Sequence, residues 1–234
     1  MDFLHELNCP SCGRPIPPEN LRGPLATCGP CRLTFRVPVS LTPAPDLGDL
    51  LLGADFRDPD LPGWKVFDRD KLEFRPGSPA EMWVRYPASD LNHAILRSPG
   101  PLDDVDASVT IRLMEGTLNH VKAGFELRSN ESGDYIIHTS VQATYRVGWH
   151  NGTEWGGQLV DWTEHPALVP GLGQPNRLRV VLRGDQLRVY LNGVLATSVR
   201  DTRYTFGFVR LVVSPGNDAP MTVAFSDLQL REPL

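Results

Sequence analysis

The sequence predicts a mostly-β protein in which a small cysteine-rich module precedes an antiparallel β-sandwich. Three observations carry that expectation. Twenty-two prolines and twenty-one glycines in 234 residues, with only 22% charged residues, leave little room for the Ala/Glu/Lys/Leu runs that build long helices. From about residue 64 onward, short alternating segments recur between turn residues. All four cysteines fall within CPSCGRPIPPENLRGPLATCGPC, residues 9–31.

The segments are WKVF, LEFR, EMWVRY, HAILRS, VDASVTIRLM, VKAGFELRS, DYIIHTS, ATYRVGWH and GQLVDW, followed by NRLRVVLRGDQLRVYLNGVLATSVRD, which holds three strands. Gly184-Asp185 makes the first turn of that block and Asn192-Gly193 the second, since Asn-Gly accepts the positive φ that a two-residue hairpin requires. Val181, Leu187, Val189 and Leu191 are expected on the core face, with Arg183, Arg188 and Tyr190 opposite. FGFVRLVVS and MTVAFSDLQL add two closing strands. A dozen or more strands without a useful helix predict two packed antiparallel sheets.

Cys9 and Cys12 form one C-x2-C pair and Cys28 and Cys31 another, with 15 residues between the pairs. Two-residue spacing lets both sulfurs of a tight turn reach one ion, and two such turns complete a tetrahedral S4 site. Two disulfides would need an oxidising compartment, and a redox dithiol expects one C-x-x-C within a βαβ unit. The segment resembles the zinc-ribbon family over about residues 7–38, on CPSCGR and CGPCRL. The resemblance implies Cys9, Cys12, Cys28 and Cys31 as ligands of one structural zinc with no open position.

The expected organisation is a ribbon over 1–38, a Pro/Gly linker over 39–53, with LGDLLLG offering one short helical turn, and a sandwich over 54–234. No apolar run reaches the roughly 18 residues of a membrane span, and MDFLHELNCP has no basic stretch followed by an apolar one, so a cytoplasmic location is expected. Net charge is −5, and residues 1–38 balance four arginines against three carboxylates, which argues against nucleic acid as partner.

The second part is similar to the concanavalin A-like lectin/glucanase superfamily, the jelly-roll group that includes laminin G-like and DUF1080-type domains. The resemblance rests on ADFRDPDLPGW, GFELRSNESGDYIIH, PNRLRVVLRGDQLRVYLNGVLATSVRD and VAFSDLQL and covers residues 54–232. It implies a sandwich that presents one sheet, and the loops at its rim, to a ligand. Such a fold hosts lectins, hydrolases and adhesion modules alike.

Catalytic patterns are missing. The E-x-D-x-E arrangement of laminarinase-type enzymes does not occur: Glu126 stands alone in GFELR, Glu131 and Asp134 read as turn residues, and Asp161 and Glu164 flank Trp162 out of register. There is no G-x-S-x-G, H-E-x-x-H or P-loop, and the six histidines have no ligand spacing. The expectation is a non-enzymatic protein that recognises a protein partner or a saccharide; the alternative is a DUF1080-type carbohydrate-active enzyme or carbohydrate-binding protein, and a zinc-ribbon nucleic-acid-binding protein ranks below it.

Aromatic residues concentrate in 135–162, interleaved with cations, so the ligand site is expected at Arg128, His138, Arg146, His150, Trp155 and Trp162. Tyr145, Val147 and Trp149 share one parity and suit the core, whereas Arg146 and His150 point the other way. Trp155, in HNGTEWGGQ, is read as a loop aromatic with little to pack against. Calcium is a second candidate ion, on Asp55, Asp58 and Asp60, on Asp68 and Asp70, and on Asp103, Asp104 and Asp106, although aspartate is also a common turn residue.

Overall fold

A computed structural model of the chain describes residues 12, 14, 16–17, 20–22, 25–32, 34–36, 47–89, 91–117, 121–152, 154–216 and 219–234. Cys9, His5, His120 and most of the expected linker lie outside the described residues. Three short strands, β1 (Leu21–Arg22), β2 (Leu25–Thr27) and β3 (Thr34–Arg36), form an antiparallel sheet between and beyond the cysteine pairs.

The sandwich begins with β4 (Leu50–Ala54), β5 (Lys65–Val66), β6 (Leu72–Arg75), β7 (Glu81–Tyr86) and β8 (His93–Arg97). The long central strands follow: β9 (Val105–Glu115), β10 (Lys122–Asn130), β11 (Gly133–Ser140), β12 (Thr144–Asn151) and β13 (Glu154–Glu164). The chain closes with β14 (Pro175–Arg183), β15 (Gln186–Leu191), β16 (Val194–Arg200), β17 (Phe208–Ser214) and β18 (Met221–Arg231). One sheet has the order β13-β12-β11-β10-β17-β8-β5; the other runs β16-β15-β14-β9-β18-β7-β6, with β4 also paired to β18. All of these pairings are antiparallel, as expected for a jelly-roll sandwich. Among the described residues no helix is long and apolar enough to cross a membrane.

The inner faces of the two sheets meet in one core. Phe125, Leu127, Tyr135, Ile137, Tyr145 and Val147 come from the seven-stranded sheet, and Met82, Val84, Val109, Ile111, Leu178 and Phe225 from the other. Alternation along each strand therefore fixes which side chains point outward.

Three expectations change. LGDLLLG contributes a strand and no helical turn: β4 pairs with the end of β18, Leu52 opposite Leu230, so the sheet starts ahead of residue 54. Val181 faces away from the core with Arg179, whereas Leu178, Val180 and Leu182 face in. The Gly184-Asp185 turn pairs Leu182 with Leu187, which puts the even-numbered apolar residues of β14 on the side of Leu187, Val189 and Leu191. Trp155 lies in β13 and not in a loop.

The aspartate runs serve the fold. Asp55 and Asp58 accept turn N–H groups from Arg57 and Asp60, and Asp68 accepts the Tyr86 hydroxyl. Asp104 receives Arg128 and the Gly184 N–H, and Asp106 holds Arg179 through two bonds of 2.7 and 2.8 Å. Among the described residues these runs bring no three carboxylates together.

Candidate functional site

The outer face of the seven-stranded sheet is set by alternation against Phe125, Ile137 and Val147. It carries Lys122 and Glu126 on β10, Asp134, Ile136 and His138 on β11, and Arg146, Gly148 and His150 on β12. Pairing extends the face to Arg210 on β17, opposite Glu126, and to Arg97 on β8, opposite Arg210. An outward face would ordinarily be wet. Here Glu126, Asp134 and His138 are buried, because the neighbouring side chains fold down over them.

Two tryptophans of the edge strand cover the β12 side of the face, against Gly148 and Arg146. Trp155 lies across Gly148, where an added Cβ would stand 2.1 Å from its ring, so the missing side chain is the seat of the indole. On the inner face Gly156 seats Trp149 in the same way, which confirms Trp149 as a core-side residue. The Arg146 guanidinium sits 4.4 Å from the Trp155 ring centre and 5.0 Å from that of Trp162, with Lys122 on the latter ring at 5.9 Å. Trp155 keeps 42% of its surface exposed and is the open aromatic platform of the face.

Beneath the tryptophans lies a polar network. Arg146 donates to His138 Nδ1 at 3.3 Å. Burial, reinforced by Arg146, Lys122 and His150, holds His138 well below the ordinary histidine value, so the ring is neutral and carries its proton on Nε2. Burial also brings Arg146 down to about 10 and lowers Lys122, the latter with help from Arg146.

Glu126, Asp134 and His150 converge so that one ligand atom of each lies within 4.8 Å of the others. His150 Nδ1 is 2.8 Å from Asp134, Ser129 donates to Asp134 at 3.4 Å, and Arg210 donates to Glu126 at 3.3 Å. Burial and the Asp134 carboxylate push Glu126 up to about 7 against the pull of Arg210. The three groups offer two oxygens and a nitrogen to a cation, but Arg210 already occupies the side facing Glu126.

Of the six residues expected to bind ligand, the structure brings five together here: His138, Arg146, His150, Trp155 and Trp162. Arg128 is placed elsewhere. It sits in a β-bulge with φ 51°, which turns its side chain toward the sandwich end, where it donates to the carbonyls of Asp103 and Tyr204 and to Asp104. The expectation missed Glu126 and Asp134 as neighbours. Asp134 belongs to β11, and the turn at Glu131-Ser132 pairs Asn130 with Gly133, bringing the two carboxylates to one face.

At the other end of the chain the sulfurs of Cys12, Cys28 and Cys31 lie within 4.8 Å of one another, with Cys12 and Cys28 3.6 Å apart. Bonded sulfurs would be about 2 Å apart, whereas thiolates around a zinc at about 2.3 Å stand close to 3.8 Å from each other. The three thiols form a candidate metal site whose donor chemistry fits a soft tetrahedral ion. Cys9, the fourth expected ligand, lies outside the described residues.

No family profile matches the chain, and no curated protein matches it in sequence. Solved structures do match in shape. The carbohydrate-binding module CBM66 from Bacillus subtilis is 14% identical at a TM-score of 0.52, covering 73% of this chain and 96% of its own. Bacillus licheniformis β-glucanase is 10% identical at 0.59, covering 80% and 100%. The laminarinase catalytic domain of Thermotoga maritima is 13% identical at 0.55, covering 81% and 100%. At these identities the likeness establishes the fold alone, a jelly-roll sandwich of two antiparallel sheets.

Proposed function

We propose that the protein is a carbohydrate-binding jelly-roll module whose outer sheet face, beside Trp155, receives an oligosaccharide. The observation that carries this reading is the set of polar groups left without partners. Five buried side-chain nitrogens among the described residues have none, and four of them, on Arg97, His138, Arg146 and Arg210, belong to this one face. Buried donors without acceptors are costly, which is why native proteins satisfy nearly all of them. His138 is fully buried, whereas Arg97, Arg146 and Arg210 are half-buried, so a ligand rich in oxygen acceptors, stacked on the exposed indole, would meet their guanidinium groups. The fold shared with CBM66 and the glucanases supports the choice of a saccharide over a protein.

Trp155→Ala tests it. In calorimetric titrations with oligosaccharides the variant should bind at least tenfold more weakly, about 1.4 kcal/mol, while a cooperative melting curve establishes that it still folds. Equal binding by parent and variant would remove Trp155 from the site, and no binding to any saccharide would end the proposal.

A second reading, glycoside hydrolysis, is favoured by one observation: Glu126, raised to about 7, stands beside Asp134 with one oxygen of each within 4.8 Å, and retaining enzymes use a close carboxylate pair. Both carboxylates are buried and already hydrogen-bonded, which supports binding over turnover. Release of reducing ends that disappears in Glu126→Gln would reverse that preference.

For the cysteine module we propose one structural zinc on Cys9, Cys12, Cys28 and Cys31, and a reducing compartment as its setting. Native mass spectrometry should find one zinc per chain, and acid denaturation should leave four free thiols. A mass lowered by two disulfides would overturn both the metal and the compartment.

A further inference from the structure

The groups on the outer face are unbalanced in two respects, in charge and in hydrogen-bonding sense. Five cations, Lys65, Arg97, Lys122, Arg146 and Arg210, share the face with two central carboxylates, Glu126 and Asp134; two more lie on the edge strand, Asp161 near Arg146 and Glu164 opposite Thr144. The central carboxylates are spoken for, Asp134 by His150 and Ser129, and Glu126 by Arg210. Arg97 and Arg146 pair with no carboxylate among the described residues: Arg97 stacks on Phe208 at 4.1 Å, and Arg146 lies between the two indoles.

All of the unpartnered buried atoms on this face are N–H donors: the Nε of Arg97, Arg146 and Arg210, and His138 Nε2. His138 is fully buried, and its Nδ1 already accepts from Arg146, so its free nitrogen has only a proton to offer. A neutral sugar brings hydroxyls, which donate as readily as they accept. A carboxylate or sulfate brings acceptors only, and guanidinium groups match their geometry. The donors are also far apart. Four inter-strand spacings separate β12, which carries Arg146, from β8, which carries Arg97, about 19 Å at roughly 4.8 Å each.

We propose that the ligand of this face is an acidic oligosaccharide, carrying carboxylate or sulfate groups, laid across the sheet from β12 to β8. This inference rests on the carbohydrate-binding reading and narrows its substrate class. Each charged group meets the guanidinium of a half-buried arginine, Arg146, Arg210 or Arg97, and the span requires a chain of sugars, because one residue cannot touch both ends.

The test is a calorimetric titration of the full chain with four probes of similar length: an oligogalacturonate, a sulfated heparin oligomer, a neutral glucan oligomer and poly-glutamate, each at low and high salt. At least one acidic oligosaccharide should bind about tenfold or more tightly than the neutral one, with an affinity that falls as salt rises. The uronate and sulfate arms decide which acid is preferred. Arg97→Gln and Arg210→Gln should each weaken acidic binding several-fold and flatten its salt dependence, whereas Arg183→Gln on the other sheet should change neither; melting curves establish that every variant folds. Equal or tighter binding of the neutral glucan would overturn acid specificity while leaving saccharide binding intact. Poly-glutamate binding as tightly as the acidic sugars would overturn the saccharide class, and binding of none of the four would overturn both.

Discussion

Glu126→Gln is expected to stabilise the protein at about pH 8 by about 3 kcal/mol and to leave stability below about pH 4 unchanged. The origin is the burial of Glu126 on the outer face beside Asp134, which raises its carboxyl from 4.5 to about 7. Between those values the folded state holds a proton that the unfolded state has released. The stability linked to Glu126 is therefore complete below pH 4.5 and lost as pH rises through 7. Glutamine resembles the protonated side chain in shape and still offers Arg210 an acceptor, so the variant escapes the loss. Urea midpoints at three pH values measure it. A variant less stable than the parent at about pH 8 would mean that the Arg210 pair, at 3.3 Å, outweighs burial and keeps Glu126 charged.

His138 pulls in the opposite direction. Its imidazole is held well below 6.5 by burial and by the cations around it, so its contribution is present above 6.5 and lost on acidification. Between about pH 4.5 and 6.5 the two groups offset each other, and the parent should show little slope there. Glu126→Gln exposes the histidine's rise with pH in that window. His138→Gln exposes the fall due to glutamate. The opposing slopes separate the two groups, which a single pH profile of the parent cannot do.

The fold was legible because its signals are local. Asn192-Gly193 and the Gly184-Asp185 turn each specify a hairpin from a few residues, and the structure places β14, β15 and β16 around those turns. The failures have local causes too. Val181 was assigned by continuing an alternation across a turn, and the turn's register reverses the assignment. Five of the six residues expected at a ligand site lie together on one outer face because β11, β12 and β13 are consecutive in sequence and adjacent in space. Arg97 and Arg210 were not expected there: they meet through the pairing of strands more than a hundred residues apart, which no spacing in the sequence encodes. Arg128 misled because a positive φ rotates it off the alternation that its strand otherwise keeps. Glu126 and Asp134 were within reach, since GFELRSNESGDYIIH is a hairpin whose turn length sets the register.

Asp106→Asn should cost about 3–5 kcal/mol, near the largest loss that any one side chain of the sandwich can produce. Asp106 is 2% exposed on β9 and receives both Arg179 Nε and a terminal nitrogen of the same guanidinium, at 2.8 and 2.7 Å. Arg179, opposite Ser108 on the neighbouring strand, is itself 8% exposed and lies over Tyr190. Removing the carboxylate charge leaves a guanidinium buried without its counter-ion. Arg179→Met, which removes the opposite partner, should be destabilising as well, and the double variant Asp106→Leu/Arg179→Met should recover much of the loss, as buried pairs replaced by apolar groups do. If Asp106 served calcium in preference to Arg179, added calcium would raise the parent's melting temperature and fail to raise that of Asp106→Asn. The bidentate pair leads us to expect the same response to calcium from both proteins.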